Sequence, residues 1–97
     1  MGDEALEVEI LGLFAEQLPI TIAALREAET EKAWGIAAHT LKGSARAVGA
    51  WALAAIAETA EHLRPLPDAA AREDVIARLE AAAGSVQQYI ASLAPPA

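Results

Sequence analysis

Residues 76–93 read IARLEAAAGSVQQYIASL, and the apolar side chains among them recur at spacings of 3, 4, 3, 4 and 3 residues. This heptad periodicity is typical of a helix that buries one stripe against neighbouring helices, as in bundles and coiled coils. In a bundle such a stripe fills the core rather than pairing two copies, so we expect a monomer. The stripe consists of Ile76, Leu79, Ala83, Val86, Ile90 and Leu93.

A first helix is predicted from Asp3 onward, with Asp3 as a candidate N-cap and acidic residues in the first turn. Pro19 lacks a backbone N–H group and is therefore expected to end or kink this helix. Beyond the proline the apolar pattern resumes toward Glu29. The apolar side chains at helical spacing are Leu6, Ile10, Leu13, Phe14 and Leu18, followed by Ile22 and Leu25.

Two more helices are predicted between these segments. Thr30 is a candidate cap for residues 31–48, and Gly49 lies where a left-handed residue commonly ends a helix. The next helix follows directly and is broken by the Pro-Leu-Pro sequence at residues 65–67, after which Asp68 caps the last helix. Their apolar faces comprise Trp34, Ala37, Ala38, Leu41, Ala45 and Val48 in one helix and Leu53, Ile56, Ala57, Ala60 and Leu63 in the other.

Length and connectivity define the expected fold class. A chain of 97 residues is near the lower end of what builds its own core, so we expect a single domain over residues 1–97. Four helical segments joined by short connections predict an all-α fold, an antiparallel up-and-down four-helix bundle with a kinked or split N-terminal helix. The short leader and the Pro-Pro-Ala ending suggest a complete small protein.

Composition argues against several classes of function. The chain has no cysteine, which excludes disulfides, thiolate nucleophiles and cysteine-based metal sites. Its formal net charge of −7 would repel nucleic acid and anionic lipid. It has neither a basic leader before an apolar core nor an apolar run of the roughly 18 residues that a membrane span needs. We therefore expect a cytoplasmic protein that binds neither nucleic acid nor a membrane.

The second predicted helix carries a histidine, two cations and two glycines on one face. Angles were taken at 100° per residue from the mean direction of its apolar stripe. On this wheel Gly35 lies at about 100°, His39 at about 140°, Lys42 at about 80°, Gly43 at about 180° and Arg46 at about 120°. All five side chains are expected to point away from the core.

Glycine is unexpected on this face, because inside an exposed helix it costs about 1 kcal/mol relative to alanine. Gly35 and Gly43 flank His39 by one turn on each side, so a bulky group could attach to the ring and a partner could approach it. The alternative is that the two glycines are accidental. Ile36, at about 200° on the same wheel, either contacts a partner helix or is a scattered surface residue.

Lys42 and Arg46 share the face of His39, although the whole protein is strongly negative. Two cations would favour an anionic adduct such as a phosphate. Alternatively, they form a solvated basic patch that pairs with glutamates of a neighbouring helix. No acidic residue is obviously placed to orient the ring.

The sequence HTLKGSARAVGA, residues 39–50, closely resembles the signature of histidine-containing phosphotransfer (HPt) domains. That signature runs His-x-Leu-Lys-Gly, then small residues, then Leu or Val, Gly and Ala. The resemblance implies a four-helix bundle with a solvent-facing histidine that is phosphorylated on Nε2. By this resemblance His39 is the phospho-acceptor, Lys42 stabilises the phosphate, and Gly43 leaves space beside the ring.

Other residues are candidate contacts to the phosphate or to a partner. Ser44 matches the signature, as does Gly49. A phosphate or partner contact by Arg46 is inferred from its position on the helix and not from the signature. The candidate partner-binding residues are Gly35, Ile36 and Ser44.

The resemblance also implies the partners. HPt domains shuttle a phosphoryl group between aspartates of receiver domains, so response-regulator receivers and a hybrid histidine kinase are expected. The chain has no Walker-type GxxxxGK[ST] loop and no Gly-rich nucleotide box, so we expect a phosphocarrier rather than a kinase. No cofactor or metal of its own is expected, and Mg²⁺ is expected on the receiver partner.

Other functions compete with this one. One is an adaptor bundle that binds a receiver or kinase domain without carrying phosphate. Another is the amino-terminal phospho-acceptor domain of a longer chemotaxis-type kinase. A metal site built from Glu58, Glu61 and His62 is less favoured than a solvated helix face with the histidine near the helix end.

Overall fold

Four helices form the part of the chain that the computed structural model describes, residues 3–63 and 65–93. They are α1 (Asp3–Glu27), α2 (Glu31–Ala47), α3 (Trp51–Glu61) and α4 (Ala69–Leu93). Helix α1 packs against α2 and α4, and α3 packs against the same two helices. This is the predicted antiparallel four-helix bundle. The side chain of Asp3, a candidate cap, and the Pro-Pro-Ala ending lie outside the described residues.

Helix α1 continues through Pro19, so the expected split of the N-terminal helix is not observed. A proline within a helix leaves the carbonyl four residues earlier without its usual N–H partner. Here that carbonyl belongs to Ala15, and Nε2 of Gln87 on α4 donates a hydrogen bond to it at 3.2 Å. A side chain of the neighbouring helix therefore compensates for the missing backbone donor.

Two predicted N-caps are confirmed. The hydroxyl of Thr30 accepts a hydrogen bond from the N–H of Ala33 at 3.0 Å at the start of α2. Oδ1 of Asp68 accepts one from the N–H of Ala71 at 2.9 Å at the start of α4. Each cap supplies an acceptor to a first-turn N–H group that the helix itself leaves without a partner.

Helix α2 ends in a turn that depends on glycine. Gly49 has φ of +77°, in the left-handed region that glycine adopts at little cost, as predicted. Its N–H donates to the carbonyl of Arg46 at 3.1 Å, and the N–H of Ala50 donates to that of Ala45 at 2.8 Å. These are the two bonds of a Schellman motif. Because α3 starts at Trp51, directly after this turn, α2 and α3 form a tight antiparallel hairpin.

The core is apolar and draws on all four helices. In α4 the predicted heptad stripe is buried at four of its six positions, whereas Val86 is half-buried and Leu93 is exposed. The largest fully buried side chains are Trp34, Leu18, Leu25, Leu41, Leu53, Ile76 and Leu79.

The first half of α1 departs from the prediction. Leu6, Ile10 and Leu13 are exposed by 54%, 49% and 57%, although they belong to the predicted apolar stripe. The buried side of α1 follows Phe14 and Leu18, and the three exposed residues lie about 60–120° away from the mean direction of these two on a helical wheel. The predicted stripe therefore mixed two faces of one helix.

By length and composition alone, α1 is apolar enough to cross a membrane, since an 18-residue window within Glu4–Glu27 has a mean hydropathy of 1.5. Core helices of bundles have the same composition. Helix α1 buries Phe14, Leu18, Ile22 and Leu25 in the core of this bundle. Its apolar character is thus no indication of a membrane protein.

Candidate functional site

His39 lies in the middle of α2 with its side chain 69% exposed. The nearby residues Ala38 and Leu41 are buried, so α2 packs into the core on one side while it presents the imidazole on the other. The prediction of a solvent-facing histidine is confirmed.

An acidic residue does orient the ring, contrary to the expectation from the sequence. Oε2 of Glu61, the last residue of α3, lies 2.8 Å from Nδ1 of His39. The hairpin explains the contact, because His39 precedes Gly49 by ten residues and Glu61 follows it by twelve. Counting outward from the predicted turn could have placed Glu61 at the level of His39 along the hairpin, but not on the side that faces the ring.

The protonation state of Glu61 fixes the tautomer of the ring. Two hydrogen bonds lower the pKa of Glu61 from its ordinary value of 4.5 to about 2. The bond from Lys42 has the larger effect, and the bond from His39 the next largest. At neutral pH this carboxylate is ionised and can only accept hydrogen bonds. Nδ1 of His39 must therefore carry the hydrogen when the ring is neutral, which leaves the lone pair on Nε2.

Lys42 does not point away from the core as predicted. Its side chain is only 13% exposed, and Nζ lies 2.6 Å from Oε1 of Glu61. At about 80° from the apolar stripe the residue is at the border of the buried face. Its ammonium group consequently turns toward α3, where it neutralises the carboxylate that also holds His39.

Arg46 also faces α3. One guanidinium nitrogen lies 3.5 Å from Oε2 of Glu58, and both side chains are about half exposed. The two cations beside His39 thus each face a glutamate of the neighbouring helix, which was the alternative interpretation of this basic patch. Each of these two cations is therefore paired with a carboxylate.

The two glycines leave open surface on both sides of the ring. Gly35 is half-buried and Gly43 is exposed. A Cβ atom added at either position would have no atom within 4 Å apart from its chain neighbours and the nearby backbone of its own helix. Packing inside the described part of the protein therefore does not require glycine at these positions.

The candidate partner-binding residues lie on two different faces. Gly35 and Ile36 line an open groove between α2 and α3 together with His39 and Glu61, and Ile36 is 58% exposed. Ser44 instead lines a groove between α1 and α2. The structure thus brings Gly35 and Ile36 to the histidine and separates Ser44 from it.

Glu58, Glu61 and His62, the candidate metal ligands, each contact a different partner. Glu58 faces Arg46, and Glu61 binds His39 and Lys42. Nδ1 of His62 lies 2.8 Å from the carbonyl of Glu58 on its own helix, where it contacts the carboxyl end of α3. The side chains of this cluster therefore stabilise the helix end and the histidine site.

The comparison with protein families agrees with this geometry. The model of the Hpt domain matches residues 9–90 of the 97-residue chain, a span that includes His39 and Glu61. Hpt domains act in phosphotransfer of two-component signalling as phosphocarriers, not as kinases. No curated protein and no solved structure matches the chain significantly. The family match spans most of the chain, and this protein belongs to the Hpt domain family.

Proposed function

We propose that this protein is a phosphorelay intermediate that accepts a phosphoryl group on Nε2 of His39 from a receiver-domain aspartate and passes it to a second receiver. The observation that supports this most is an exposed imidazole whose Nδ1 is held by an ionised carboxylate. The ring is oriented, and its lone pair lies on the other nitrogen.

The transfer is a displacement at phosphorus. The lone pair of Nε2 attacks the phosphorus of an aspartyl phosphate, the P–N bond forms, and the P–O bond to the aspartate breaks with its electron pair remaining on the carboxylate. No proton has to leave Nε2, because Nδ1 carries the ring hydrogen. The phosphorylated ring gains positive charge, which Glu61 balances at 2.8 Å. Transfer to the second receiver is the reverse of these steps.

Lys42 and Arg46 are the cations available to the phosphoryl oxygens. The ammonium group of Lys42 is paired with Oε1 of Glu61, and its flexible side chain can exchange this contact for one with a phosphoryl oxygen. Arg46, 49% exposed, is a second phosphate or partner contact. Mg²⁺ held by the receiver would supply further neutralisation of the transferred group.

The partners dock over the face of α2. Gly35 and Gly43 give a receiver access to the ring, and exposed Ile36 provides an apolar contact in the same groove. Ser44 contributes to a partner footprint that extends toward α1. The upstream donor in this proposal is a hybrid histidine kinase, and the protein works as a cytoplasmic monomer.

Incubation with a receiver phosphorylated by radioactive phosphate tests the proposal. We expect acid-labile label on the wild-type protein and none on His39→Gln, with His62→Gln as the matched control that retains the label. Label that persists on His39→Gln would contradict the assignment. Receiver binding that is equal in both proteins, with no label on either, would indicate a phosphate-independent adaptor instead.

A further inference from the structure

The residue that orients His39 lies at a helix end, where the backbone is held less firmly than in the middle of a helix. Glu61 is the last residue of α3, a helix of only 11 residues. The last four carbonyls of a helix have no partner inside it, and helix ends fray. Helix α3 also has no side-chain cap at its start and no basic residue in its last turn. The N–H of His62, just beyond α3, donates to the carbonyls of Glu58 and Thr59, but these bonds stay within one segment and do not fix the final turn to α2.

Trp34 on α2 contacts this final turn. Its indole is 1% exposed, and Nε1 donates a hydrogen bond of 2.7 Å to the carbonyl of Ala60, the residue before Glu61. This bond satisfies one of the terminal carbonyls of α3 and fixes it to the helix that carries His39. The guanidinium of Arg72 on α4 lies 5.5 Å from the indole centroid and packs over the ring.

We propose that Trp34 is a positioning residue of the phosphoryl site, whose indole N–H holds the last turn of α3 so that Glu61 reaches Nδ1 of His39. Its effect on transfer rests on the proposed function, whereas its effect on the geometry of Glu61 does not. The second bond to the Ala60 carbonyl, 3.2 Å from the N–H of Leu63, comes from the chain just beyond α3 and cannot tie that helix to α2.

Loss of the indole N–H is expected to loosen the contacts of Glu61 with His39 and Lys42. Since those two contacts lower the pKa of Glu61 to about 2, that pKa should rise toward 4.5 when they weaken. The ring of His39 should likewise lose its single tautomer, because no carboxylate then selects Nδ1 for the hydrogen. Both effects are measurable without any phosphate.

Trp34→Phe and the matched Trp51→Phe provide the test, since Trp51 is 67% exposed at the far end of α3. The readouts are the ¹³C titration of the Glu61 carboxyl, the ¹⁵N shifts of the His39 ring and the rate of phosphotransfer from a receiver. We expect Trp34→Phe to raise the pKa of Glu61, to mix the tautomers and to slow transfer about 10-fold. Trp51→Phe should leave all three unchanged.

A second variant removes the N–H without changing the shape of the side chain. It replaces Trp34 by β-(3-benzothienyl)alanine in the Trp51→Phe background, which leaves a single tryptophan position. This variant decides the matter if Trp34→Phe fails to fold. A folded Trp34 variant in which the Glu61 titration and the His39 shifts match those of Trp51→Phe would overturn the proposal. Altered shifts in a protein that never accepts phosphate would support the positioning role and contradict the phosphorelay function.

Discussion

Glu61 contacts two side chains of α2 with its two oxygens, Oε2 with Nδ1 of His39 and Oε1 with Nζ of Lys42. Oε1 is buried, and Lys42 is nearly so. Removing the carboxylate would release the ring and leave the ammonium group without its counterion in a poorly solvated place. One residue thus sets both the tautomer of the acceptor and the position of the neighbouring cation.

The stability of the protein should depend on Glu61 in a defined pH window. Its pKa is 4.5 in the ordinary, unfolded environment and about 2 in the fold, so its contribution is complete above pH 4.5 and is lost as the pH falls toward 2. Urea unfolding of wild type and Glu61→Gln should therefore give a stability difference that is largest at neutral pH and shrinks with acid. A difference that stays constant or grows as the pH falls would contradict this assignment.

Glycine at position 43 is expected to lower the stability of α2 and to leave room for a receiver beside the ring of His39. It is exposed within α2, and an added Cβ meets no blocking atom within 4 Å. Gly43→Ala is expected to raise the free energy of unfolding by about 1 kcal/mol and to slow phosphotransfer by narrowing the approach to His39. Gly84→Ala on α4 is the matched control, because its added Cβ is equally open. That variant should gain similar stability with unchanged transfer, and equal transfer rates in the two variants would refute the role of Gly43.

At the scale of helices, α1 and α4 depend on each other through Pro19. The carbonyl of Ala15 would lack a partner inside α1, and Gln87 supplies it from α4. The sequence predicted that Pro19 would perturb the helix, because the missing N–H is a property of the residue itself. It did not predict the compensation, since that depends on which α4 side chain packs beside the vacant carbonyl.

A double-mutant cycle tests this compensation. Gln87→Ala should cost about 1 kcal/mol in wild type, because it leaves a carbonyl in the packed interface without its donor. In the Pro19→Ala background the backbone regains an N–H at position 19, so the same change should cost less. Both free energies come from urea unfolding at neutral pH. Equal costs in the two backgrounds would show that Gln87 does not serve this carbonyl.

For the whole molecule, the unequal helix lengths determine where the site lies. The bundle measures 46 × 20 × 19 Å, and α1 and α4 have 25 residues each, whereas α3 has only 11. The pair α1 and α4 forms a long support, and the shorter hairpin of α2 and α3 presents His39 and Glu61 on its surface. The hydrogen bond from Trp34 to the carbonyl of Ala60 joins the two helices of that hairpin next to Glu61.

The bundle was predictable because its determinants are local in the sequence. The caps Thr30 and Asp68 and the left-handed Gly49 each act over a few residues, and all three are observed. The heptad stripe lies within one helix, and four of its six positions are buried. The exposure of His39 followed from its angle on the helix.

The contacts across helices were not predictable in the same way. The contact between Glu61 and His39 depends on how α3 is rotated against α2, which no single-helix wheel contains. The burial of Leu6 and Leu13 was mispredicted for the same reason. A helical wheel shows which faces of α1 are apolar, but not which of these faces a neighbouring helix covers.

The most direct test concerns which nitrogen of His39 carries the phosphoryl group. The protein, labelled with ¹⁵N in its histidine rings, is phosphorylated by a phosphorylated receiver and examined by ¹⁵N and ³¹P NMR, with the His62 ring as internal reference. The account predicts phosphorus bonded to Nε2 of His39, with the hydrogen retained on Nδ1 and the His62 ring unchanged. Phosphorus on Nδ1 of His39, or on the His62 ring, would contradict it.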